Sequence, residues 1–224
     1  MIALLNGLHL TGLISLTLLQ VPSGNSPGAD TGSISRVSSP PQAQVVKLRA
    51  QKAPAFVMAD QYERDHRCAE CPGDVLVLIY GDRESSDFNK QLGEMIHLAF
   101  HPGAKSLPPE KARQAAPSPL PGQPSGGRCP DVKAVPVAVI GKAPNLVKTL
   151  LRNEFRKACP DCAVWMDFDG SMKQSFGLAP GVPNLVVIDG SGQVRMAAGG
   201  KLTREHLQEL VDGIQQLRHE AVDK

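Results

Sequence analysis

The sequence predicts an α/β domain, a mixed sheet flanked by helices. Three observations carry that class. Residues 75–80 and 135–140 are short, almost continuously apolar runs, which read as strands covered on both faces. Each is followed by apolar residues at helical spacing: Phe88, Leu92, Met95, Ile96 and Ala99 after the first, then Leu146, Val147, Leu150, Leu151 and Phe155 after the second. Residues 185–189 and 193–198, separated by Gly190-Ser191-Gly192, form a hairpin pattern, and Leu207, Leu210, Val211, Ile214 and Leu217 follow on one last helix.

The elements follow in order. Residues 1–21 carry no charge and read as a signal peptide or single membrane anchor, which implies an exported, periplasmic or envelope-anchored protein. Residues 22–53 are rich in Ser, Pro, Gly, Gln and Ala and read as a disordered linker. The folded domain is expected over 54–220, opening with a short strand pair at 56–66 as an N-terminal strand extension. Ser85 or Ser86 caps the first helix. Residues 101–136 hold nine of the 19 prolines, so 101–134 is expected as a loop insertion in which fixed φ angles and missing N–H groups defeat helix and ladder. Residues 163–167 form a short strand, residues 171–176 a brief helix, and Thr203 caps the last helix.

Composition excludes several functions. Lys and Arg number 24 against 22 Asp and Glu, and aromatics are 4%, so neither a basic field nor a stacking platform for nucleic acid is present. No Walker A or dinucleotide fingerprint occurs. Asp167, Asp169 and Asp189 stand in turn sequences. His97 and His101 have no identifiable acidic partner and read as solvated surface.

Residues 75–80 with their helix, Trp165-Met166-Asp167-Phe168-Asp169-Gly170, and Phe176-Gly177 leading to Gly181-Val182-Pro183 before residues 184–189 together resemble the thioredoxin-like superfamily. The likeness is to its exported thiol–disulfide oxidoreductase and peroxiredoxin-related branch. It implies a thioredoxin-like sheet, a cis-proline at Pro183, and a protein or peptide partner held by main-chain bonds in the groove at Glu84, Asp87, Val182 and Pro183. The family's Cys-x-x-Cys is missing: Glu84 and Asp87 stand in its two positions, and carboxylates cannot exchange disulfides.

Five cysteines lie elsewhere: Cys68, Cys71, Cys129, Cys159 and Cys162, in two Cys-x-x-Cys pairs and one single. The predicted topology places them all at the N-terminal edge of the parallel strands, opposite the family's active edge. Three readings stay open. They are structural disulfides, a zinc site of Cys68, Cys71, Cys159 and Cys162 with His66 as alternate ligand, and a displaced redox dithiol with those four cysteines as catalytic candidates. The functional expectation is a thioredoxin-fold envelope protein with a degenerate site, partner-binding or redox-associated. The alternative is a thiol–disulfide oxidoreductase or peroxidase-like enzyme using displaced cysteines.

Overall fold

A computed structural model describes residues 43–67, 72–122 and 127–222. The expectations for residues 1–21 and for Cys68 and Cys71 lie outside these residues. The elements are β1 (Gln44–Lys52), β2 (Val57–Asp60), β3 (Asp65–Arg67), β4 (Val75–Gly81), α1 (Ser86–Phe100), α2 (Pro109–Ala112) and β5 (Val132–Val139). Then come α3 (Asn145–Ala158), β6 (Trp165–Asp167), α4 (Ser171–Phe176), β7 (Asn184–Ile188), β8 (Gln193–Gly199) and α5 (Arg204–Val222). One eight-stranded sheet runs β1-β8-β7-β4-β5-β6-β2-β3. β4, β5 and β6 are parallel; β7 is antiparallel to β4 and β8 to β7.

The all-apolar β4 is buried along its whole length because it has a layer on each face. Val75, Val77 and Ile79 meet Leu92, Ile96 and Phe100 of α1 and Leu210, Ile214 and Leu217 of α5. Leu76, Leu78 and Tyr80 meet Met172 and the partly buried Phe176 of α4, and Met58. Strand alternation thus splits one run of sequence between two cores.

Several expectations are corrected. The linker composition of residues 22–53 does not keep 44–52 out of the sheet: β1 pairs antiparallel with β8, Gln44 opposite Gly199 and Lys52 opposite Gln193. An edge strand needs main-chain partners more than apolar side chains, so its polar composition hides it. β5 begins at Val132, three residues before the apolar run. It carries Pro136 because β6 pairs only from Val137 onward, so that flank has no strand there to receive the missing N–H. The apolar stripe of α3 buries no residue fully, and Leu146 is 83% exposed. Its cationic stripe is used instead: Lys148 Nζ and Arg152 Cζ stand 4.8 and 5.6 Å from the Phe168 ring centroid.

The Pro-rich insertion contains the 3-10 turn Pro102–Ser106 and α2, and it is riveted to the body. His97 and His101 are buried with rings stacked 4.4 Å apart, not solvated. His97 Nε2 bonds the Ala112 carbonyl at 3.0 Å, and His101 Nε2 bonds Asp131 Oδ1 at 2.8 Å. That acid is thirty residues away in sequence, which is why spacing does not reveal it. The fully buried Arg218 of α5 reaches the same loop. Its Nε donates to the Pro130 carbonyl at 2.8 Å, and its Nη2 to the Ser118 carbonyl at 2.7 Å and to Cys129 Sγ at 3.0 Å.

This cluster gives stability a pH dependence. Burial pushes His97 below its ordinary 6.5, and the charges of His101 and Arg113 act in the same direction. The unfolded chain therefore takes up that proton first, so stability falls as pH drops through about 6.5 toward the folded value. Burial pushes Asp131 up, but the hydrogen bond and charge of His101 outweigh it and hold the carboxyl below 3.8. Its contribution is present above that value and is lost as pH falls through the lower folded one. Thermal melts from pH 7.5 to 3 are expected to show a decline in two stages, and His97→Gln should remove the upper one.

Candidate functional site

The corner between β4 and α1 faces the loop ahead of β7, since Tyr80 pairs with Asn184. Glu84 and Asp87 stand at the head of α1 without sulfur, beside a loop that the chain has tied to itself. Asp82 Oδ2 accepts from the Gly181 N–H at 2.8 Å, and its Oδ1 accepts from the Ser85 N–H at 3.0 Å. The buried Asn184 amide donates to the Ala179 and Val182 carbonyls, each at 3.0 Å, and its Oδ1 accepts from the Ala179 N–H at 2.9 Å. The expected cis bond at Pro183 is absent: the described residues contain no cis peptide, and Val182–Pro183 is trans. The Asn184 brace gives the physical reason, because it closes this turn without that isomer. Burial pushes the Tyr80 hydroxyl up to about 12, so it is neutral at physiological pH.

The described cysteines lie at the other edge. Cys129 precedes β5, and Cys159 and Cys162 precede β6, the strands running away from them toward the Pro183 side. Their grouping is looser than the topology predicts. Cys129 Sγ donates to the Ser118 carbonyl at 3.3 Å and accepts from Arg218. Cys159 and Cys162 share the turn at the end of α3. All three are half-buried free thiols.

That turn is held by the β2–β3 hairpin. Gln61, 0% exposed, donates from Nε2 to the carbonyls of Cys159 (3.1 Å) and Cys162 (2.7 Å), and its Oε1 accepts from the Val164 N–H at 2.8 Å. Tyr62 Oη donates to the Pro160 carbonyl at 2.9 Å, and Arg156 Nε donates to the Gln61 carbonyl at 2.7 Å. Burial pushes the Cys162 thiol up and outweighs the nearby Arg113 charge; the Cys159 sulfur adds to the rise. Neither Gln61 nor Tyr62 has a sequence signal; both sit about a hundred residues from the turn they hold.

As for metal, no three His, Cys, Asp or Glu side chains group as a binding set among the described residues. His66, the alternate zinc ligand, is engaged by Asp60 Oδ2 at 3.0 Å and stacked on Trp165 at 5.0 Å. Asp167 serves the chain rather than a cation: its carboxylate accepts from the Ser171 and Met172 N–H groups at the start of α4. Asp189 does likewise for the hairpin turn, accepting from the N–H groups of Ser191 and Gln193.

No protein-family model and no curated protein matches this chain. Solved structures of similar shape include a secreted thiol-disulfide isomerase from Corynebacterium glutamicum, 11% identical, covering 88% of this chain and 100% of that one, with a TM-score of 0.48. A second is the exposed lipoprotein thioredoxin of Streptococcus pneumoniae, 13% identical, covering 71% of this chain and 98% of that one, at 0.48. A third is a thioredoxin-family thiol:disulfide interchange protein from Chlorobium tepidum, 15% identical, covering 76% and 99%, at 0.44. The chain's own strand order, its parallel β4–β5–β6 with α1 and α3 between them, and its terminal β7–β8–α5 define a thioredoxin-like α/β fold.

Proposed function

We propose that this chain is a thiol–disulfide exchange protein whose working pair is Cys159–Cys162, at the edge opposite the closed corner. The observation that carries the reading is one turn with two free thiols, clamped by a fully buried side chain. At the corner, Glu84 and Asp87 offer no sulfur.

The chemistry points to electron donation. Burial disfavours the Cys162 thiolate, and the negative end of α3 acts the same way on its neighbourhood. A thiolate that is disfavoured is a poor leaving group, so the disulfide resists reduction and the dithiol gives electrons to a substrate disulfide. The exported address expected from residues 1–21 suits such chemistry, since disulfides persist there.

A second reading places a bound peptide at Glu84, Asp87, Val182 and Pro183. Asn89 Oδ1, buried behind Ser85 without a hydrogen-bond partner among the described residues, favours it. The prior engagement of the Gly181 N–H and the Val182 carbonyl opposes it.

Insulin reduction by the full-length protein separates the readings. Cys159→Ser is expected to abolish turnover. Full activity in that variant would refute the assignment, and loss of activity only in Cys68→Ser or Cys71→Ser would move it to the other pair.

A further inference from the structure

We infer that Gln61 is a positioning residue for the Cys159–Cys162 pair and sets the balance between its dithiol and disulfide forms. The inference rests on the reading that this pair is redox-active. Gln61 is buried at 0% exposure, and its side chain spends both donors and its acceptor on one segment of chain. The donors take the carbonyls of the two cysteines themselves, at 3.1 and 2.7 Å, and the acceptor takes the Val164 N–H at 2.8 Å. The turn is already folded back, with the Cys162 N–H directed at the Cys159 carbonyl at 3.5 Å.

Tying both carbonyls to one rigid carboxamide fixes the separation of the two cysteine backbones, the quantity that decides whether an S–S bond can close without strain. Oxidation of the pair removes two protons and two electrons and forms one S–S bond. The electrons break the S–S bond of an acceptor disulfide and the protons go to its two sulfurs, so oxidised glutathione leaves as two reduced molecules. Only the second, intramolecular step depends on how the turn is held. Gln61 therefore acts through the effective concentration of one thiol at the other.

Gln61→Met retains the length and removes every polar group. The equilibrium constant for disulfide formation should fall about tenfold, a rise in potential of about 30 mV. The readout is the oxidised fraction of the Cys159–Cys162 peptide, trapped by alkylation and weighed by mass spectrometry, across mixtures of reduced and oxidised glutathione. Melting temperature is recorded in parallel. A lowered melting temperature with an unchanged constant would mean a purely structural role and overturn the inference. Gln61→Asn, a carboxamide one methylene short, carries the same test where the Met variant does not fold: a lowered constant supports the inference and an unchanged one overturns it. Wild-type protein that never closes this disulfide at any ratio would overturn the redox reading itself, a separate and visible outcome.

Discussion

Arg218→Leu is expected to destabilise the protein by about 4 kcal/mol, enough to unfold much of a marginal population at physiological temperature. The guanidinium is 0% exposed and lies over the Phe100 ring at 5.7 Å. It donates to three acceptors of the insertion: the Pro130 carbonyl, the Cys129 sulfur and the Ser118 carbonyl, which also accepts from Cys129 Sγ. Leucine would fill part of the volume and satisfy none of them, and each buried orphan costs roughly 1–3 kcal/mol. Arg218→Lys should recover only a fraction, because one ammonium cannot span acceptors that the planar fork reaches together. Urea melts would check this, and a loss under 1 kcal/mol for the Leu variant would count against the rivet.

The second large effect is expected at Gly190. A Cβ there would lie 2.7 Å from the Gly73 Cα and 2.8 Å from its carbonyl carbon, so backbone, not a flexible side chain, must give way. The two glycines are also joined by a bond from the Gly73 N–H to the Gly190 carbonyl at 2.8 Å. Gly190→Ala should therefore cost about 2–3 kcal/mol through overpacking. Gly192→Ala in the same turn meets no atom within 4 Å but sits at φ +76°, and should cost nearer 1 kcal/mol from backbone strain alone. Equal losses at the two positions would remove the case for a close approach.

The elements carried by local pattern are legible in the sequence. β4, α1, the β7–β8 hairpin and α5 each repeat an apolar period over enough residues to define type and face. The fold class and the edge holding Cys129, Cys159 and Cys162 followed from their order. What stayed hidden depends on distant polar partners. β1 is an edge strand of polar composition, and His101 finds Asp131 only across the insertion. The Pro183 expectation failed: the peptide is trans, in a turn that the Asn184 side chain, one residue on, closes by its own hydrogen bonds. The sulfur turn was visible as Cys-Pro-Asp-Cys, but its clamp was not, since no spacing rule links Gln61 to Val164.

Arg218, on the last helix, reaches back 88 residues to Pro130. During synthesis, the Pro-rich segment is made 88 residues ahead of the side chain that fastens it. A nascent chain stopped short of Arg218 would carry the strands of the sheet beside an unfastened flap, so the insertion is secured only after every strand has been made.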